Sequence, residues 1–109
     1  METLYGLKLY TSGVLVVGKT EIQGQKPYEN TGIEEGDMIV KINEETVTST
    51  EELIEGVNKS NGENIKINYI HDGKEYVSTM APIKTEKNEY KLGLWVRDGA
   101  AGIRNNKLL

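Results

Sequence analysis

The sequence predicts a mostly β fold with one or two helices, an α+β class. Several short segments alternate apolar and polar residues, as strands with one buried face do. One segment, residues 48–62, instead carries the capping and spacing signals of a helix. The length of 109 residues fits one domain with a modest core, and no stretch rich in Gly, Pro or Ser divides it.

Three strands are predicted in the first half of the chain. Residues 4–10 alternate between apolar and polar side chains, as a half-buried strand would. Residues 14–17 are short and rich in β-branched side chains, so we expect a strand that is buried on both faces. Pro27 opens a predicted short polar turn of helix, because its missing N–H is not needed there. Residues 38–42 then form the third strand.

The clearest helix signal lies in the middle of the chain. Ser49 and Glu52 have the spacing of a capping box, and acidic residues suit a helix N-terminus. We expect the helix to run from about Thr50 to Lys59, with Leu53 and Val57 one turn apart on its core face. An Asn-Gly pair follows and should end it.

The remainder of the chain predicts a hairpin and a last strand. Residues 65–69 alternate along a fourth strand, residues 71–74 make a turn, and residues 75–80 return. Residues 84–89 are polar and predict a loop. Residues 90–97 are interpreted as the last strand.

Composition excludes several classes of function. A net charge of −4 and a pI near 5.0 argue against nucleic acid as a partner. The absence of cysteine excludes disulfides, thiol chemistry and a zinc finger, and one histidine is too few for a typical transition-metal site. We therefore predict no metal and no cofactor. Nothing approaches about 18 consecutive apolar residues, so the chain is expected to be soluble, with an upstream membrane anchor left open.

One strict motif match is interpreted as coincidence. Residues 13–20 satisfy G-x-x-x-x-G-K-[ST], the phosphate-binding loop of nucleotide hydrolases. That loop needs flexible backbone within it and a helix after it. Its interior here is Val-Leu-Val-Val, which favours a strand, and the residues up to Pro27 will not continue a helix. We therefore predict no nucleotide binding.

No catalytic constellation is visible, so the chain is predicted not to be an enzyme. The single histidine, His71, precedes an Asp-Gly pair in the predicted hairpin turn, where a solvated side chain is expected. The four serines lack the context of a nucleophile elbow. These are Ser12, Ser49, Ser60 and Ser78.

Residues 27–43 carry the most informative pattern, Pro-x-x-x-x-Gly-Ile-x-x-Gly-Asp-x-Ile-x-x-Ile-Asn. Gly32 can end the first turn in the left-handed region, Gly36 permits a tight turn, and the Asp37 carboxylate can accept backbone N–H groups there. The order closely resembles the centre of a PDZ domain. That resemblance implies a partly open β-barrel or sandwich of five to six strands capped by a helix, which binds peptide ends and performs no chemistry.

The resemblance extends to a binding groove. Leu4-Tyr5-Gly6-Leu7 looks like the carboxylate-binding loop of PDZ domains, which implies that the amides of Tyr5, Gly6 and Leu7 receive a terminal carboxylate. A peptide would then pair with the strand that contains Lys8, Leu9 and Tyr10. Helical spacing places three residues of the predicted helix on the opposite wall. They are Thr50, Ile54 and Asn58.

Residues near the two ends of the chain make the resemblance more specific. Residues 6–18 and the closing residues 90–103, above all Gly-Leu-x-x-Arg-Asp-x-Ala-Ala-Gly-Ile, resemble the sporulation stage IV B serine peptidases. This implies a PDZ domain over residues 1–97 and, over residues 98–109, a tail that begins a linker to a protease domain. Residues 105–109 depart from that family, so a cut piece, a truncated gene product or a degenerate paralogue is expected.

The resemblance also implies a setting and a partner. Its members act in the space between the forespore and mother-cell membranes, so an extracytoplasmic location is implied. The partner would be a peptide or protein C-terminus, with a membrane-bound sporulation regulator as one candidate. An alternative stays open: Leu92-Gly93-Leu94-Trp95 partly repeats Tyr5-Gly6-Leu7-Lys8. The chain could thus be a self-associating scaffold with its own terminal strand in the groove.

Overall fold

The computed structural model describes residues 13–99 and 105–109. Within these ranges it contains nine strands and one helix. The elements are β1 Val14–Lys19, β2 Met38–Ile42, β3 Glu45–Thr46, α1 Thr50–Lys59, β4 Ile65–His71, β5 Lys74–Met80, β6 Ile83–Lys84, β7 Tyr90–Lys91, β8 Leu94–Asp98 and β9 Lys107–Leu108. The mostly β prediction with a single clear helix is confirmed.

The strands form one large antiparallel sheet and a small hairpin. The large sheet has the order β5-β4-β2-β1-β8-β9, and β3 pairs with β2 away from this path. Strands β6 and β7 pair separately, and α1 packs against β2, β7 and β8. Among the strands of the described residues, β8 would therefore form an edge of the sheet without β9, and α1 packs against it.

A single apolar core joins the helix to the sheet. Leu53 and Val57 are fully buried, as the one-turn spacing predicts. They pack with branched aliphatic side chains from β1, β2, β4 and β8, which removes apolar area from water. The largest fully buried members are Ile33, Ile39, Leu53, Ile65, Ile67, Leu92, Leu94 and Leu109.

The helix has the predicted bounds and the predicted N-cap residue, but one of its two capping bonds involves a different residue from the predicted one. Ser49 Oγ accepts the amide of Glu52 at 3.2 Å, as a capping box requires. The Glu52 carboxylate, however, accepts the amide of Thr48 at 2.8 Å rather than that of Ser49. The return bond thus satisfies a donor one position before the cap.

The turn segment between β1 and β2 has the predicted glycine geometry but no helix. Gly32 and Gly36 have φ of +82° and +93°, in the left-handed region. Asp37 is 3% exposed, and its Oδ2 accepts the amide of Glu34 at 2.8 Å, as predicted. Residues 27–31 form successive turns in place of the predicted helical turn, because their bonds, such as Thr31 N to Tyr28 O at 3.1 Å, close after three residues.

Two strand predictions need correction. Residues 14–17 are buried on one face only: Val14 and Val16 are fully buried, whereas Leu15 and Val17 are half-buried. Residues 90–97 are not one strand, because residues 92 and 93 interrupt the strand between β7 and β8. At that break Gly93 has φ of +86°, which is incompatible with strand backbone.

Among the residues that the structure describes, no helix is long and apolar enough to cross a membrane. The tail prediction for residues 98–109 stays a prediction. In the structure, the last residues lie against the sheet, with Lys107 opposite Val96 and Leu108 opposite Trp95 in an antiparallel pair.

Candidate peptide-binding site

Three consecutive amides converge on one oxygen at the break between β7 and β8. The amides of Leu92, Gly93 and Leu94 lie 2.7, 2.8 and 3.3 Å from the carbonyl oxygen of Leu109. The amide of Leu109 in turn donates to Leu94 O at 2.7 Å. A nest of successive amides carries fixed partial positive charge, so it suits the negative end of a chain.

Gly93 makes this nest possible. Its φ of +86° turns the amides to one side, and its carbonyl accepts the amide of Thr20 at 2.8 Å. A Cβ at this position would collide with the carbonyl oxygen of Thr20 and would lie 3.0 Å from the ring of Tyr28. The local geometry therefore requires glycine for two independent reasons, backbone conformation and space.

The last three residues occupy the groove between β8 and α1 as an added strand. Leu109 is 1% exposed and belongs to the apolar core, against which Ile54 of the helix also packs. Lys91 Nζ donates to the carbonyl oxygen of Leu108 at 3.1 Å. Backbone bonds to an edge strand, together with a pocket for one side chain, are the features of peptide recognition by strand addition.

The helix contributes a charged contact at the other end of this groove. Lys107 Nζ lies 2.6 Å from Glu51 Oε2 in the first turn of α1. The hydrogen bond from Lys107 holds the pKa of Glu51 below its usual range, so this carboxylate stays ionised at neutral pH. Next to it, the amide of Thr50 donates to Asp98 Oδ1 at 2.7 Å, which ties the start of the helix to β8.

The predicted site residues divide into two groups. Tyr5, Gly6 and Leu7, and the strand residues Lys8, Leu9 and Tyr10, lie outside the described residues, so their roles stay predictions. The three helix residues are described. Thr50 is 2% exposed, Ile54 is half-buried, and the exposed Asn58 accepts the amide of Tyr90 through Oδ1 at 3.1 Å. Asn58 thus joins the helix to β7.

The amide nest of residues 92–94 and the contact with Glu51 are not indicated by the local sequence pattern. Residues 92–94 alternate like strand residues, and the residue that they bind, Leu109, lies fifteen positions after Leu94. Two signals were present, however. A glycine inside a predicted strand marks a bulge or a close backbone approach, and residues 92–95 partly repeat residues 5–8.

His71, for which the sequence predicts a solvated side chain, is partly exposed and also forms a hydrogen bond with Asp37 in the turn before β2. It is the last residue of β4, and its Nδ1 lies 2.7 Å from Oδ1 of Asp37. The hydrogen bond to Asp37 and the negative charge of that carboxylate raise the pKa of His71 above its usual value. The side chain is still 42% exposed, so solvent reaches its other face.

The phosphate-loop spelling at residues 13–20 falls on a strand. Residues 14–19 form β1, which pairs with β2 on one side and β8 on the other. The backbone there is extended and used in the sheet, so it does not curve around a phosphate as such a loop must.

The family comparison agrees with the fold and identifies its class. The PDZ domain family model matches residues 4–79, and the chain therefore belongs to the PDZ family. A zinc metalloprotease, RasP of Shouchella clausii, is 31% identical over 109 residues, which is 97% of this chain and 25% of the relative. This chain thus spans about a quarter of the length of that curated relative.

Two solved structures show the same fold. The PDZ domain of the SdrC-like protein from Listeria monocytogenes has a TM-score of 0.64 at 23% identity, covering 78% of this chain and 87% of that chain. The equivalent domain from Listeria innocua has a TM-score of 0.66 at 23% identity, covering 77% and 92%. At this identity the likeness shows the fold alone.

Proposed function

We propose that this chain is a PDZ module that binds the C-terminal ends of peptides by strand addition between β8 and α1. The observation that carries the proposal is the convergence of the amides of Leu92, Gly93 and Leu94 on the main-chain oxygen of Leu109 in the docked strand. The ligand is an extended segment with a free carboxylate and an apolar last residue. Since the interface is small, micromolar affinity is expected.

The loop at Tyr5, Gly6 and Leu7, with the strand at residues 8–10, is a second candidate for the carboxylate site. Amide chemical shifts distinguish the two during a titration with the peptide Asn-Asn-Lys-Leu-Leu. The chain used should carry Leu109→Asp, because a carboxylate cannot enter the apolar site of Leu109 and the groove is then open. Chemical-shift changes at residues 92–94 would support the proposal, whereas changes confined to residues 5–7 would place the carboxylate site at residues 5–7 instead.

The same titration with a C-terminally amidated peptide tests the chemistry of the nest. Amidation removes one negative charge, and hydrogen bonds to charged groups contribute about 1.5–3 kcal/mol. The amide should therefore bind about 10- to 150-fold more weakly than the acid. Equal affinity for the two forms would contradict carboxylate recognition and would favour binding of internal segments.

In this proposal the parent protein is a bacterial protease, and the chain is its recognition part rather than its catalyst. The likeness to a zinc metalloprotease supports a protease parent. The finer assignment, to a sporulation stage IV B serine peptidase, is supported only by the resemblance of residues 6–18 and 90–103. With that assignment come an extracytoplasmic location and a membrane-bound sporulation regulator as partner.

A domain-exchange experiment distinguishes the two candidate parent proteases. Residues 1–103 would replace the PDZ region of a stage IV B peptidase in one strain and that of RasP in another. Restored sporulation signalling in the first strain alone supports the finer assignment. Restored activity in the second strain alone would contradict it. As a control, each exchange would be repeated with Gly93→Ala, which should abolish any restoration.

Self-association is a second candidate function. The observation that favours it is the docked segment at residues 107–109, since a strand that fits its own groove also fits the groove of a second copy. Sedimentation over a range of concentrations, with the intact chain and with Leu109→Asp, tests it. A concentration-dependent dimer that Leu109→Asp removes would support an exchanged strand, and a monomer throughout would refute it.

A further inference from the structure

Strand β8 occupies one side of β1, and the residues at its start define what a strand needs at this position. Leu94 and Val96 are fully buried, whereas Trp95 between them is exposed. Just before them, Gly93 has φ of +86°, and a Cβ there would collide with the carbonyl oxygen of Thr20. The position therefore requires a glycine that is followed in turn by an apolar, a solvent-facing and an apolar residue.

The N-terminal segment, residues 4–11, carries the same pattern in its sequence. Gly6 is followed by an aliphatic, a basic and an aliphatic residue, so aligning Gly6 with Gly93 places apolar side chains at both buried positions and a lysine at the exposed one. At the end of the aligned segments, Thr11 takes the position of Asp98. Asp98 Oδ1 accepts the amide of the first helical residue at 2.7 Å, and a threonine hydroxyl is also an acceptor.

The short connection to β1 gives the N-terminal segment the same register independently. The amide and the carbonyl of Val16 both bond, at 2.8 Å, to the turn that precedes β2. Those of Leu15 therefore point to the other side of β1, where Arg97 lies opposite. In the alignment Tyr10 takes the position of Arg97, which leaves residues 11–14 as a four-residue hairpin loop that contains a Ser-Gly pair. Sequence alignment and hairpin geometry thus agree on one register.

Resting on the proposed function, we propose that the N-terminal segment and β8 are alternative occupants of one strand position beside β1. In the arrangement that the structure shows, residues 92–94 supply the amide nest. In the alternative arrangement β8 leaves the sheet, the N-terminal segment pairs with β1, and residues 5–7 supply the nest at the same place. Residues 107–109 pair with β8, so the exchange removes their partner strand and opens the groove. The exchange therefore regulates access to the site.

The partition of a disulfide in the full chain tests this proposal, because the chain contains no cysteine of its own. The test chain carries Tyr10→Cys, Leu15→Cys and Arg97→Cys. Residues directly opposite on antiparallel strands are close enough for a disulfide, and the thiol at position 15 bonds to only one of the other two at a time. At equilibrium in a glutathione buffer, peptide mapping should find both the 10–15 and the 15–97 bond.

Substitutions in each segment should move this ratio in opposite directions. Gly6→Val puts a Cβ at the position that requires left-handed backbone, so it should favour the 15–97 bond by about 5- to 30-fold. Val96→Asp puts a carboxylate into the core and should favour the 10–15 bond. Lys8→Val is the matched control, because it adds the same side chain at the solvent-facing position and should leave the ratio unchanged. A 10–15 bond that forms only because the two positions are close along the chain would not respond to Gly6→Val.

Urea denaturation of the cysteine-free chain is a second measurement. Val96→Asp should retain a cooperative transition, because the N-terminal segment replaces β8. Val96→Asp combined with Leu9→Asp should lose the transition, since neither segment then fits the position. Loss of the transition in Val96→Asp alone would mean that the N-terminal segment does not replace β8, and the proposal would be overturned.

The outcomes distinguish this inference from the proposed function. If only the 15–97 bond forms, or if Gly6→Val leaves the ratio unchanged, the exchange is refuted while peptide binding stands. A disulfide between positions 10 and 15 of two different molecules would mean that the strand comes from a second copy, which contradicts exchange within one chain. If no peptide binds, the proposed function fails, whereas the disulfide ratio still reports the exchange because it is measured without ligand.

Discussion

Gly93→Ala is the substitution whose effect the structure defines most fully. Left-handed backbone costs a residue with a Cβ about 1–2 kcal/mol. The new Cβ also collides with the carbonyl oxygen of Thr20, and a shift to relieve this strains the bond from Thr20 N to Gly93 O, which measures 2.8 Å. Loss of that bond adds about 0.5–1.5 kcal/mol, so the free energy of unfolding should fall by about 1.5–3.5 kcal/mol.

Urea denaturation measures this effect, with Gly24→Ala as the matched control. Gly24 has φ of +80°, close to that of Gly93, but no heavy atom outside its chain neighbours lies within 4 Å of the added Cβ. The control therefore reports the backbone penalty alone. For a urea slope of about 1–3 kcal/mol/M, Gly93→Ala should lower the midpoint by at least about 0.5 M, and the control by less. Equal midpoints for the two variants would refute the close approach to Thr20.

Three further predictions concern other parts of the domain. Gly36→Val should lower the free energy of unfolding by about 1–3 kcal/mol, because φ of Gly36 is +93°. An unchanged urea midpoint would contradict the assignment of Gly36 to a tight turn. The pKa of His71 is raised in the fold, so its stabilising bond to Asp37 is complete below about pH 6.5 and is lost as pH rises through the folded value. Urea midpoints should fall between pH 6 and pH 9 more steeply for the parent than for His71→Gln, and parallel curves would contradict this linkage. Calorimetry with ATP and magnesium should show no saturable binding, and incubation with peptides should show no cleavage that depends on a serine or on His71.

The features that could be predicted from the sequence are those that depend on neighbours along the chain. Ser49 and Glu52 mark the start of α1 because capping involves residues three apart. Gly32 and Gly36 mark their turns because a positive φ penalises other residue types. The Asp37 carboxylate accepts the amide of Glu34 within the same turn, so its role was also visible locally.

The binding loop could not be predicted in the same way, because its function depends on a distant partner. Leu92, Gly93 and Leu94 alternate like strand residues, and only the docked Leu109 and the backbone of Thr20 explain the break. The hydrogen bond of His71 could not be predicted for the same reason, since its partner Asp37 lies 34 positions earlier. Local pattern identified the fold class, and long-range contacts determine where the groove receives a chain end.

Gly93 contributes both to the stability of the fold and to ligand binding, so a bound ligand should change the stability of the domain. The carbonyl of Gly93 holds Thr20 while its amide faces the ligand, so an occupied groove should stabilise the fold. A peptide at 100 times its dissociation constant adds about 2.7 kcal/mol to a domain with an empty groove. The intact chain already holds Leu109 there, so Asn-Asn-Lys-Leu-Leu should raise its melting temperature less than that of Leu109→Asp. An equal rise in both would mean that residues 107–109 do not occupy the groove in solution.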